Sequence, residues 1–237
     1  MPDPPKIPLL HPFPILEIPT DLAACPWARA TLGLDGEELR GAIAGHLPLP
    51  ADPALARLRE KLLTYHPAGI VTYSSRSYLQ LDHPEIDKED EGIGESYYLG
   101  YPALREEVAA AITDALHTLG IAGAVSAALI EFYALFPGLR EDFQCTGHFI
   151  QPGEWHTLGS MLSDVPDIIP QEPWASAICL YHARNGDDVV LSSSGEVAWY
   201  CIAEAEIIPI ASDFSGFLDY LIGYLDLRWP LDSYGPD

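Results

Sequence analysis

The chain has 237 residues, 48% of them hydrophobic and 10% aromatic, which is ample for a sizeable core in one large domain or two small ones. Acidic residues outnumber basic ones 35 to 12, and the formal net charge of -23 repels phosphate backbones and anionic lipid while attracting cations and basic proteins. Nucleic acid and membrane surfaces are therefore excluded as first-choice partners. The four cysteines, Cys25, Cys145, Cys179 and Cys201, form no CxxC pair, and a chain this long needs no disulfides, so a reducing compartment is the simpler reading. The start, "MPDPPKIPLLHPFPILEIP", lacks the basic segment and unbroken apolar run of an export signal. A cytoplasmic location is expected.

In chain order, residues 1–50 read as a proline-rich, irregular arm with one short helix over 35–46, "DGEELRGAIAGH", and residues 51–237 as an α+β domain. A firmer helix follows in "DPALARLREKLLTY": Asp52 can cap it, Pro53 suits its first turn, and Leu55, Leu58, Leu62 and Leu63 share a face. The β-branched and aromatic run "GIVTYSSRSYLQL" predicts a hairpin about Ser74, Ser75 and Arg76, and the acidic stretch after it has no apolar period and must be solvated. Helices are predicted over 102–119 and over about 122–136, the second ended by Pro137-Gly138. The apolar run 119–139 is membrane-like, but Glu131 near its middle and Pro137 favour a buried helix. Asn185-Gly186 between "WASAICLYHA" and "DDVVLSS" is a strong hairpin signal, and "EVAWYCIA" returns as a third strand after Ser193-Ser194-Gly195. In "SDFSGFLDYLIGYL", Ser212 can cap an amphipathic helix with Phe214, Phe217, Leu218, Leu221, Ile222 and Leu225 on one side.

Several clusters could carry chemistry. Asp187, Asp188 and the serines at 192–194 sit in or beside turns, and Ser194 precedes a strand where a nucleophile elbow would lead into a helix. They read as turn residues first. The best metal candidate is "CTGHFIQPGEWH", with Cys145, His148 and His156, but its spacing matches no established zinc pattern. A Cys–His pair of Cys179 or Cys201 with His182 is weaker, because strand alternation puts Cys179 on the opposite face from His182. Phosphate-cradling GxGxxG and GxxxxGK loops are absent. No catalytic residue, metal ligand or cofactor is assigned. The partner-binding candidates are Asp82, Glu85, Asp87, Glu89, Asp90, Glu91 and Glu95, opposed only by Lys88, with Tyr97 and Tyr98 beside them. Acid next to aromatics suits docking to a basic protein surface.

Over about 129–225, the order helix, proline-glycine break, strands, "GDDVVLSSSGEVAWY" and "IIPIASDFSGFLDYLI" resembles the SUKH superfamily, the Smi/Knr-like proteins. The likeness rests on Gly195, Val197 and Trp199-Tyr200 and on the closing "PIASDFSGFL"; the "LPxxY" turn of the family is replaced here by "FPGLREDF". The resemblance implies an α+β domain and a binding role, since many bacterial members are immunity proteins that block secreted toxins, often nucleases, and others are regulatory modules. The expectation is an α+β fold with an antiparallel sheet and packed helices, serving as a non-enzymatic immunity protein that occludes a basic toxin. The alternatives are a metal- or cysteine-dependent hydrolase built on Cys145, His148 and His156, and a regulatory scaffold with a nontoxic partner.

Overall fold

Alternating apolar residues in two sequence neighbourhoods build two antiparallel meanders, and one residue joins them. The computed structural model describes residues 9–73, 76–84, 96–121, 126–141, 147–227 and 231. Within these, β1 (Leu9–Pro12), β2 (His66–Tyr73), β3 (Arg76–Asp82) and β4 (Ser96–Leu99) pair in that order. The second sheet runs β5 (His148–Phe149), β6 (Ile178–His182), β7 (Asp188–Leu191), β8 (Val197–Cys201) and β9 (Glu206–Ala211), also in chain order. Arg140 bridges Tyr98 of β4 on one side and His148 of β5 on the other, so the sheets meet edge to edge. The α+β architecture with an antiparallel sheet is the one that the sequence predicts. So are the β2–β3 and β6–β7–β8 hairpins, whose cores need only local alternation to form.

The helices are α1 (Pro26–Ala30), α2 (Gly36–His46), α3 (Pro53–Leu63), α4 (Arg105–Thr118), α5 (Ala127–Leu135), α6 (Leu158–Met161) and α7 (Phe214–Leu227). As expected, Asp52 caps α3, accepting from the amides of Ala54 and Leu55 at 2.8 and 3.0 Å. Its other oxygen accepts from Ser215 Oγ at 2.7 Å, which ties the start of α3 to α7. The cap of α7 is Asp213 and not Ser212: the Asp213 side chain accepts from the Gly216 amide at 2.8 Å. Phe214, Phe217, Leu218, Leu221 and Leu225 of α7 are buried. Phe132 of α5 packs on Phe149 of β5 at 4.7 Å and on Phe214 at 5.4 Å, so α5 and α7 cover the same sheet face. Residues 9–50 contribute to this core as well. β1 is an integral strand, and Leu22, Trp27, Ile43 and Leu47 are fully or almost fully buried in the same cluster as the strands.

The charge inside the apolar run 119–139 has a defined task. Glu131 on α5 accepts from the backbone amides of Ala51 (3.1 Å) and Asp52 (3.3 Å), just before α3, and lies 3.8 Å from Arg105 of α4. A carboxylate satisfying two amides eighty residues upstream belongs to a helix packed in protein, where such groups would otherwise be orphaned. Among the described residues no helix is long and apolar enough to cross a membrane.

Because α7 closes the core, truncating Phe217 (0% exposed) or Leu221 (1%) to alanine is expected to destabilise the fold by about 2–5 kcal/mol in urea or thermal unfolding. Two variants that melt with the wild type would show instead that α7 is peripheral.

Candidate functional site

Residues directly opposite each other on antiparallel strands share a face, so the register fixes which side chains line up across the joined sheet. Gln80 stands opposite Tyr98, Tyr98 opposite Arg140, Arg140 opposite His148, His148 opposite His182, His182 opposite Asp188, and Asp188 opposite Tyr200. One polar row thus runs across the face away from α5 and α7. Its sequence neighbours Leu79, Tyr97, Leu139, Phe149, Tyr181, Val189 and Trp199 belong to the main core on the other side. Over β6–β8 the row is covered by residues 156–177: His156 stacks on His182 with ring centroids 5.5 Å apart, and Tyr200 donates to the Ile168 carbonyl at 3.0 Å. Asp188, 2% exposed beneath this cover, pairs with His182 Nδ1.

Where the cover ends, the row opens into a cavity of about 290 Å³, lined by Tyr73, Arg76, Tyr78, Gly138, Arg140, His148, Phe149, Gln151 and Glu154. Arg140 lies over the rings of Tyr73 and Tyr78, with its guanidinium carbon 6.0 and 5.5 Å from their centroids, which is within cation–π range. Arg76 pairs with Glu154 at 3.1 Å across the rim. Two glycines permit close approach here, Gly138 at this cavity and Gly100 at the hollow beside it. A side chain at Gly100 would collide with the Pro137 carbonyl, which accepts from the Gly100 amide at 3.0 Å. Gly138 has φ +67°, and a Cβ there would sit 3.3 Å from the Tyr78 ring and 3.6 Å from Gln151 Nε2. A second hollow of about 490 Å³ shares Arg76, Tyr78, Gly138 and Gln151 and extends to Asp21 and Tyr101.

The electrostatics of the joining strand are set by which face each residue takes. His148 lies on the cavity face. Its pKa is lowered to about 4, first by burial and then by Arg140 and His182 nearby, so the imidazole is neutral at pH 7. Glu141, next to Arg140, points to the core side. Its Oε1 accepts from Tyr97 OH and from the Leu231 amide, both at 3.2 Å. Burial raises the Glu141 pKa to about 7, against the lowering effect of the Leu231, Tyr97 and Tyr181 hydrogen bonds and of nearby Arg184. The protonation of both groups couples to folding within the accessible pH range.

The sequence-predicted residues are distributed unevenly about this site. His148 and His156 both converge on His182, His148 with ring centroids 5.7 Å apart, while Cys145 lies outside the described residues. Among the described residues no group of three His, Cys, Asp or Glu side chains could hold a metal ion. Strand alternation misplaces Cys179. A bulge between Cys179 and Tyr181 sets Cys179 opposite Val190, two residues from Asp188, and so returns it to the face of His182. Burial, with Asp188 nearby, pushes its thiol pKa well up, which leaves it protonated and a poor nucleophile. Asp187 is a turn residue, as predicted: it accepts from Asn185 Nδ2 at 2.7 Å and from the Ile202 amide at 2.9 Å, joining two turns. Ser192, Ser194 and Glu196 bond one another in the next turn.

Of the acidic docking candidates, Asp82 holds Gln80 (2.8 Å) and Ser96 (2.7 Å) at the end of β3. Tyr97 is 2% exposed and turns inward to Glu141, so it offers no docking ring, whereas half-buried Tyr98 stands in the polar row. Glu85, Asp87, Glu89, Asp90, Glu91 and Glu95 lie outside the described residues. Sequence reading missed Arg76, Arg140, Gln151 and the tyrosine pair, because no short motif joins residues brought together by strand register. No family model, curated protein or solved structure matches the chain.

The two shifted groups act in opposite directions. Glu141, raised above its ordinary 4.5, contributes stability that is present below that value and lost as pH rises towards about 7. His148, lowered from its ordinary 6.5, contributes stability that is present above that value and lost as pH falls towards about 4. Urea midpoints measured from pH 4 to 8 should show Glu141→Gln gaining on the wild type as pH rises, and His148→Gln gaining as pH falls. Curves parallel to the wild type would contradict both assignments.

Proposed function

We propose that the chain is a non-enzymatic protein-binding module of the immunity type, which neutralises a basic toxin in the cytoplasm by occluding it. The observation that carries this reading is how the few basic side chains are used. Arg57 pairs with Asp219, Lys61 with Asp226, Arg76 with Glu154 and Arg105 with Glu131, and Arg59 donates to the carbonyls of Leu47 and Ala44. The surplus behind a net charge of -23 is therefore left on carboxylates, including exposed Glu37 and Glu38 on α2, Glu106, Glu107 and Asp114 on α4, and Glu204 and Glu206 at β9.

Such a field accelerates capture of a cationic protein, and occlusion asks for complementarity rather than reactive groups. The resemblance of the C-terminal half to the SUKH superfamily supports the same reading, and the α+β fold agrees with it. A secreted nuclease fits as the partner because its nucleic-acid-binding surface must be basic.

Co-expression with a toxin encoded beside this chain is expected to restore growth. With that toxin in hand, association measured by stopped flow should slow markedly above about 0.15 M salt, while dissociation changes less. Neutralising Asp87, Glu89, Asp90 and Glu91 together should slow association similarly and leave the melting temperature unchanged. Association rates indifferent to both salt and these substitutions would contradict the proposal.

A further inference from the structure

The turn between β6 and β7 holds the single asparagine of the chain, Asn185, and the residue after it is Gly186. The fold imposes both. Gly186 has φ +92°, which disfavours any side chain, and its amide donates to the Ala183 carbonyl at 3.2 Å to close the turn. Asn185 is used as an amide: its Nδ2 donates to Asp187 Oδ2 at 2.7 Å, and its Oδ1 accepts from the Asp187 amide at 3.2 Å. In a chain with 35 acidic residues, an aspartate here would supply the acceptor but set a second carboxylate against Asp187, which is 3% exposed. The pair that the turn requires is also chemically labile. A glycine nitrogen following asparagine can attack the side-chain amide carbon, because glycine has no side chain to hinder the approach and its backbone reaches the needed conformations readily. Asn185 and Gly186 are both exposed, at the tip of a hairpin, where local opening costs least.

We propose that Asn185 is a self-modification site, which deamidates spontaneously and thereby uncouples the β6–β7 turn from the turn that follows β8. The Gly186 nitrogen bonds to Asn185 Cγ, the Cγ–Nδ2 bond breaks, and ammonia leaves with the Gly186 amide proton. Water then opens the cyclic imide. Opening at Cγ leaves aspartate at 185, and opening at the backbone carbonyl carbon leaves isoaspartate, with a methylene added to the main chain. The sum is amide plus water to carboxylate plus ammonium, with nothing oxidised or reduced, and the chain becomes one unit more negative than -23. Either product takes the Nδ2 donor away from Asp187 and puts a carboxylate in its place. Asp187 Oδ1 accepts from the Ile202 amide at 2.9 Å, so repulsion at 185 is passed to the turn after β8. Isoaspartate also lengthens a connection that the Ala183 amide closes on the Asp187 carbonyl at 2.8 Å. This chemistry needs no partner and stands or falls independently of the proposed toxin.

The test incubates the full folded chain over weeks at neutral and at mildly alkaline pH. With one asparagine present, and four glutamines that would need a larger and slower-forming ring, the change in intact mass reports on a single residue. A gain of about 1 Da is expected, faster at the higher pH, with peptide mapping placing aspartate and isoaspartate at 185. Asn185→Ser should show no gain. The modified fraction, separated by anion exchange, should exchange its Ile202 amide about tenfold faster than the starting protein, the loss of about one hydrogen bond, while the amides of α7 exchange as before. The wild-type incubation and its separated product need no variant, so the outcome does not hang on whether Asn185→Ser folds. No mass gain in the folded chain while the urea-unfolded chain converts would overturn the proposal, as would a gain that maps elsewhere or a modified fraction whose Ile202 amide exchanges at the original rate.

Discussion

Arg140 has a strand neighbour on each side. The Tyr98 amide donates to the Arg140 carbonyl at 2.9 Å and the Arg140 amide returns a bond to Tyr98 at 3.1 Å. On the other flank the Phe149 amide donates to Leu139 at 2.9 Å and the Glu141 amide to Gly147 at 2.8 Å. Without this pairing β4 and β5 would each present an open edge, and the chain would hold two separate meanders. With it, the face of one meander continues into the face of the other. Both the core and the polar row depend on that continuity, because the row draws Gln80 and Tyr98 from the first sheet and His148, His182, Asp188 and Tyr200 from the second.

The same strand divides its charges between the two faces. Arg140 goes to the cavity, where tyrosine rings and His148 surround it, and Glu141 goes to the core, where Tyr97 and the Leu231 amide hold one of its oxygens. An ion pair between neighbours would have been simpler, but strand geometry forbids it by pointing them apart. The consequence is an acid that prefers to be protonated on one side and a histidine that prefers to be neutral on the other, each for want of solvation. Elsewhere the basic residues are used locally, in pairs on α3, α4 and α7 that leave the outside of the molecule acidic.

Features encoded within a few residues were legible in the sequence. The Asp52 cap, the Asn185-Gly186 hairpin, the turn role of Asp187 and the buried face of α7 all follow from local spacing, because turn chemistry and amphipathic period act over one to three turns of chain. The bulge at Cys179 defeated simple alternation, since one extra residue in a strand leaves no mark in composition. Ser212 and Asp213 are both good caps, and only the backbone geometry selects Asp213. The cavity was not legible at all. Arg76, Arg140 and Gln151 are brought to one place by pairing β4 to Arg140 and Arg140 to β5, a register that no contiguous stretch of sequence specifies. Glu131 in its apolar run was a visible anomaly whose partners, the amides of Ala51 and Asp52, lay too far away in sequence to be inferred.

The claim that the sheets form one unit through Arg140 is tested most directly by native-state hydrogen exchange of the Tyr98 and Arg140 amides against those of β7 and β8. If the joining strand is part of the cooperative core, all of them exchange only through global unfolding, with one free energy and one urea dependence. Exchange of Tyr98 and Arg140 through a separate opening of lower free energy, while β7 and β8 stay protected, would contradict the account.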